Sequence, residues 1–175
     1  MKQQYYYLIA SLPMLEFGAK MPFSYNNFLS RCQERLARSD MDIVKRASIL
    51  PYEDIDDPSP TLREWKRFDT TLRNELARSR AAKFTKDPLL YIRGEDYPDP
   101  SVSSLVQWVV NLDSPLEAEL CLDRFRWEKI GQLKKGHYFD IDYLITYALE
   151  LQILERWERI DSKDGMRILE ALLSA

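Results

Sequence analysis

The feature that most restricts this chain is the stretch "DYLITYALELQILERWERI", running from Asp142 to Ile160. It is apolar around most of its circumference, yet charges break it too often for a membrane span. At about 100° per residue, Tyr143, Tyr147, Leu151, Leu154 and Trp157 cover one side of a helix, and Ile145, Leu149, Ile153 and Ile160 another. Gln152, Glu155, Arg156 and Arg159 supply a wet strip. A helix with so little polar surface has to be enclosed by other elements, so it is expected at the centre of a helical bundle. Glu150 falls on a side that should be buried. It is expected either to be paired inside or to sit at an interface that a partner completes.

The rest of the chain supplies the surrounding helices. Ser24 is placed to cap a helix carrying Phe28, Leu29, Cys32 and Leu36. Ser39 or Asp40 is placed to cap the next, with Ile43, Ala47 and Leu50 inward. Ser59-Pro60 is a capped start with proline at the first helical position, and Leu62, Trp65, Phe68, Leu72 and Leu76 follow as a narrow apolar stripe. A short apolar helix is expected around Leu105 to Val110. Ser114-Pro115 repeats the capped start and opens a helix to about Lys135, ended by Gly136. Asp140 or Asp142 caps the long helix, and a short terminal helix follows Ser162 and Gly165, through Leu172. Tyr5 to Leu12 suits helix or strand, and helix is chosen. With 5 Gly and 9 Pro there are few residues for the many tight turns of an all-β fold. The expectation is all-α: a compact multi-helix bundle of seven or eight helices. It forms one domain over 1–175, with lobes at 1–57 and 58–175 if the acidic, proline-rich "PYEDIDDPSP" separates two.

Chemistry is constrained by what is missing. The single histidine, His137, rules out a multi-histidine metal site or a HExxH site, and without a visible proton-transfer partner it reads as a solvated loop residue. There is no GxxxxGK[ST] and no GxGxxG to cradle phosphate. "YEDIDDP" lacks the spacing of a calcium loop and reads as a solvated acidic linker. Cys32 and Cys121 lie far apart and read as small buried residues of a reducing compartment, with a disulfide as the alternative. No cofactor, metal or catalytic residue is expected, and the chain is read as a non-enzyme.

Two patterns point to binding. Residues 60–86 carry eight basic against three acidic residues, a net +5 in a chain of net −3. Arg63, Lys66, Arg67, Arg73 and Arg78 are its candidate partner-binding residues. Phosphate contacts of a nucleic acid would suit such a face, but Trp65 and Phe68 lie on the apolar stripe, so no stacking platform accompanies it. The helix from Pro115 has Leu116, Leu120, Trp127 and Ile130 on one face, with Asp123 among them, and Ala118, Leu122, Phe125 and Leu133 on another. Asp123 is therefore a candidate buried carboxylate in need of a basic or hydrogen-bonding partner. An enzyme using Asp123 and Glu150 is the weakest reading, because general acid–base chemistry also needs a pocket.

"LDRFRWEKI" followed by "FDIDYLITYALELQILERWERI" resembles the C-terminal part of the V-type ATPase subunit that is called C in prokaryotes and d in eukaryotes. Leu122, Asp123, Arg124, Phe125 and Glu128 match the first segment, and Arg156 and Arg159 match the two arginines of its long helix. "YYYLIASL" is similar to that subunit's first helix. Over nearly its whole length, the chain resembles a short bacterial family of uncharacterised proteins encoded among V-type ATPase genes. The C/d subunit has a Lys-Glu-Asn-Glu stretch where this chain has Leu-Glu-Leu-Gln. The resemblance implies a mechanical part that caps the membrane rotor ring and seats the central shaft, peripheral on the cytoplasmic face of the inner membrane through protein partners. The other expectation is a helical adaptor that binds nucleic acid or another protein through helix 60–86. The N-terminal run after Lys2 carries three tyrosines and no small-residue cleavage site, so no cleaved leader is expected. No run approaches the ~20 apolar residues of a spanning helix.

Overall fold

The computed structural model describes residues 5–52, 56–94 and 99–161 of the chain. These form seven α-helices: α1 (Tyr6–Ala10), α2 (Tyr25–Gln33), α3 (Arg38–Arg46), α4 (Pro60–Lys83), α5 (Pro100–Val109), α6 (Pro115–Lys134) and α7 (Ile141–Asp161). A 3-10 turn at Pro88–Leu90 is the remaining element, and no strand occurs among the described residues. The fold is all-α. No helix among the described residues is long and apolar enough to cross a membrane. The expected terminal helix beyond Ser162 lies outside the described residues.

The chain divides into two compact units, one of Met1–Ile49 with Ile130–Ala175, the other of Leu50–Lys129. This differs from the lobes at 1–57 and 58–175 that the proline-rich linker suggested. The linker does mark one crossing, but the second falls inside α6. The reason is in the first unit, where α2 and α3 pack on α7, so the N-terminal helices are completed by the C-terminal one.

In that unit α7 is enclosed as its composition requires, with every residue from Leu144 to Leu151 buried. Phe28 and Cys32 of α2, Met41 and Val44 of α3, and Ala47 just after it are buried too. The Phe28 and Tyr147 rings lie 5.3 Å apart, and the Tyr147 hydroxyl donates to the Pro13 carbonyl at 3.0 Å. Gln152, expected on the wet strip, instead binds backbone. Its amide donates to Ala47 O at 2.8 Å and accepts from Ile49 N at 3.3 Å, which satisfies the chain where α3 ends. Ser24 caps α2 by accepting from Asn27 N at 3.2 Å. Neither Ser39 nor Asp40 caps α3, whose N-cap is Ala37. Both lie in its first turn, where an acid also suits the helix dipole, and Asp40 accepts from the Tyr5 hydroxyl. Leu50, expected inward, lies beyond α3 and is 68% exposed.

The second unit is organised on α4. Ser59 caps it by accepting from Leu62 N at 3.3 Å, Asp99 caps α5, and Ser114 accepts from Glu117 N at 3.3 Å at the start of α6. Asp99 starts α5 a turn earlier than its apolar residues alone suggested. Leu72 and Leu76 of α4, Val102, Val106 and Val109 of α5 and Leu122 of α6 share one core, with Phe68 and Phe125 packed against it. Leu116 and Leu120, placed by periodicity on an apolar face, are 37% and 36% exposed. Gly136 follows α6 with φ +83°, the left-handed conformation of a helix-ending glycine. Both cysteines are free.

Cys32 is fully buried, and burial pushes its thiol up to about 12. The thiolate is the reacting species, so Cys32 should resist iodoacetamide in the native protein and be modified once urea unfolds it. Peptide mass spectrometry after timed alkylation reads this directly. Equal labelling in both states would mean that α2 does not seal against α7.

Candidate functional site

The basic residues of α4 do not make one exposed face. Lys66 is 6% exposed. Its ammonium lies 3.1 Å from Asp57 Oδ2 and 4.9 Å from the centre of the Tyr52 ring. Asp57, expected as a solvated linker carboxylate, is itself buried and accepts from Ser59 N at 3.0 Å. Its charge is therefore neutralised where α4 begins, and Lys66 is not available to a partner. Arg73 reaches Asp69 Oδ2 at 2.6 Å, and Arg78 pairs with Glu75 one turn back. Arg63 is half-buried, 3.9 Å from Asp56 and donating to Asp57 O at 3.3 Å. Of the five, Arg67 is the exposed one, and Arg63, Arg73 and Arg78 are half-buried.

Asp123 lies at the heart of the second unit, fully buried, with its Oδ1 accepting from Arg126 Nη1 at 2.8 Å. Arg126 is also buried and donates through Nε to Asp69 Oδ1 at 3.0 Å. Asp69 in turn receives Arg73, so a network of two carboxylates and two guanidiniums links α4 to α6. Burial opposes the Arg126 charge, but Asp69 and Asp123 outweigh it and raise its pKa. Such a network orients helices, and its guanidiniums stay charged. Asp69 and Arg126 were not singled out from sequence, although Asp69/Arg73 at i,i+4 and Asp123/Arg126 at i,i+3 are legible pairs.

Glu150 is 4% exposed and accepts from Lys134 Nζ at 2.8 Å. The ammonium stands 4.7 Å from the Tyr143 ring centre and 6.0 Å from that of Tyr147, so aromatic faces share its charge. Burial pushes the Glu150 carboxyl above its ordinary value, and Lys134 offsets only part of the rise. The lysine arrives from the last turn of α6, within the same unit.

His137 is not a solvated loop residue. Its Nδ1 lies 2.7 Å from Asp140 Oδ2 and 3.5 Å from Asp142 Oδ2, and one ligand atom from each residue falls within 4.8 Å of the others. One nitrogen and two oxygens are donors that a divalent cation accepts. Asp140 already has a structural duty, capping α7 by accepting from Tyr143 N at 3.1 Å. A helix N-terminus favours carboxylates and disfavours cations, so capping accounts for the acids of the HxxDxD spacing.

Residues 101–175 match the family model described as a protein of unknown function, DUF2764. The matched stretch takes in most of α5 and all of α6 and α7, and so Asp123, Arg126, Lys134 and Glu150. It leaves out Asp69 and the basic residues of α4. No curated protein and no solved structure matches the chain.

Replacing Asp123 by Ala should destabilise the protein by about 3 kcal/mol, the lower end for a broken buried pair, because Asp69 still faces Arg126. Glu117→Ala, at an exposed position of the same helix, should change stability by less than about 0.5 kcal/mol. Urea midpoints compare the two, and equal values would mean that water reaches Asp123. Glu150 gives a pH dependence of definite sign. With its folded pKa raised, the native state holds a proton that the unfolded chain has released, so stability falls as pH rises from the ordinary glutamate range through the raised value. Lys134→Met removes the offsetting charge and should steepen that fall. Its deficit against the parent protein should therefore be larger at pH ~8 than at pH ~5. Parallel stability curves would break the assigned coupling.

Proposed function

We propose that the protein is a non-catalytic component of a bacterial V-type ATPase, similar to its C/d subunit and linking the central rotor shaft to the membrane ring. One observation carries the reading. Asp123, within the Leu122–Glu128 segment that resembles the C/d subunit, belongs to the buried charge network joining α6 to α4. A part that passes torque has to keep its helices from turning against one another. Close-packed aromatic cores resist compression, and directional ion pairs resist rotation and sliding. The second resembling segment lies on α7, whose Tyr147, Gln152 and Glu150 are each held by a polar contact.

On this reading the contact surface includes the half-buried Arg63 and the exposed Arg67. Nucleic acid is a poorer match to this part of α4, since Lys66 is buried and Arg73 and Arg78 are engaged by carboxylates.

The test is affinity purification of the tagged protein from its own host in mild detergent. Shaft or ring proteins of the rotor should co-purify, and Arg63→Glu with Arg67→Glu should reduce their yield by about ten-fold or more while leaving the helical circular dichroism unchanged. Repeated absence of every rotor component, with an intact ATPase in the same lysate, would overturn the proposal.

A further inference from the structure

Beyond its engaged first half, α4 ends in a displayed hook of different character. Phe84 is 71% exposed, Leu89 and Leu90 are each 75% exposed, and Tyr91 is 47% exposed. Single exposed apolar residues are ordinary, but four within eight positions on one loop are not. Phe84 and Tyr91 line a common groove of ≈ 320 Å³ with Ala77, Arg80, Ala81 and Lys86. Between residues 80 and 93 the sequence sets Arg80, Lys83, Lys86 and Arg93 against one acid, Asp87, and all four cations are exposed. No carboxylate among the described residues pairs with Arg80, Lys86 or Arg93, in contrast to Lys66, Arg73 and Arg78.

The hook is built rather than loose. Thr85 adopts φ 55°, a left-handed conformation that a β-branched residue takes only at a cost, and Lys86 N then bonds back to Ala81 O at 2.9 Å. Asp87 accepts from Leu89 N at 2.9 Å and sets the 3-10 turn. At the far end the buried Asn74 side chain makes two bonds of 3.0 Å to the backbone of Arg93, donating to its carbonyl and accepting from its N–H. The loop is therefore tied to α4 at both ends, with its aliphatic residues held outward.

We propose that this hook docks directly on an anionic lipid surface. Phe, Leu and Tyr side chains enter the boundary between headgroups and acyl chains, while arginine and lysine extend to the phosphates. A bilayer bearing negative charge satisfies both parts of the patch at once. A nucleic acid would engage the cations and the rings but leave Leu89 and Leu90 without a match. Direct lipid docking is independent of the ATPase reading, and protein-free vesicles keep the two apart.

Flotation of the full-length protein tests it, using phosphatidylcholine vesicles with and without about one-third phosphatidylglycerol. The protein should float with the anionic vesicles only, and less so when salt rises from ~0.1 M to ~0.5 M. Leu89→Asp with Leu90→Asp should cut the bound fraction by about ten-fold, and Arg80→Gln or Lys86→Gln by about five-fold each. Unchanged circular dichroism for each variant separates lost binding from lost folding, and the single charge variants remain readable if the double one unfolds. Failure of the parent protein to float, or flotation indifferent to Leu89 and Leu90, would overturn the proposal. So would binding of a single-stranded oligonucleotide through Arg80 and Lys86 without any flotation.

Discussion

A guanidinium buried between two carboxylates sets terms that the rest of the second unit must meet. Arg126 has to be charged, and each of its acids has to be within reach, or the burial of three ions would cost several kcal/mol per ion. The apolar core around Leu72, Val106 and Leu122 is less demanding. Aliphatic side chains repack after a small rotation with modest loss. A hydrogen-bonded ion pair at 2.8–3.0 Å does not tolerate such a shift. The network therefore selects one rotational setting of α6 on α4 from several that the core would accept. Its net contribution to stability is small by comparison, because apolar residues of equal volume could fill the same space.

The first unit solves a related problem with fewer charges. Enclosing α7 on nearly all sides buries a tyrosine and a glutamate and half-buries a glutamine. Each takes a specific partner: Tyr147 the carbonyl of Pro13, Gln152 the backbone at the end of α3, Glu150 the ammonium of Lys134. No fully buried side-chain nitrogen or oxygen among the described residues lacks a hydrogen bond. The polar residues that interrupt the helix's apolar surface thus fix which segments lie against it. Burial raises the Glu150 carboxyl above its ordinary value, and the Lys134 ammonium offsets part of that rise.

How much of this could be read from the chain depended on whether the signal was local. Ser24, Ser59-Pro60 and Ser114-Pro115 mark helix starts through bonds to residues three positions on, Gly136 marks an end through its left-handed backbone, and the structure has helices starting or stopping at each. Local signals failed where two positions suit the same residue. Asp40 is as well placed inside a first turn as before it, and it stands inside, where it accepts from Tyr5, distant in sequence. Burial of charge was the least legible. Asp57 in a proline-rich acidic run has every mark of a solvated linker residue, and only its approach to Lys66 reveals otherwise. Glu150 and Asp123 could be singled out because each interrupts an apolar face. Lys66 interrupts nothing, since it belongs to a basic series whose spacing says nothing about which member turns inward. Leu116 and Leu120 show the converse, keeping the helical period where α6 has not yet entered the core.

A helix's net charge is therefore a poor guide to the charge it offers a partner. α4 and the residues just after it carry +5 over 60–86, but as far as Arg78 several of its cations are met by carboxylates, Lys66 by Asp57, Arg73 by Asp69 and Arg78 by Glu75. From Arg80 onward the cations turn outward and are joined by exposed Phe84, Leu89, Leu90 and Tyr91. The two halves have opposite physical demands. Enclosed charge must be matched one to one and held still, whereas displayed charge beside apolar surface gains most from a partner with both properties. The backbone changes character at the same place, through the left-handed Thr85 and the Asn74–Arg93 clasp. One continuous helix thus anchors a charge network at its middle and presents a contact surface at its end, and the hook's strain is tolerable because the buried half already fixes where that end must lie.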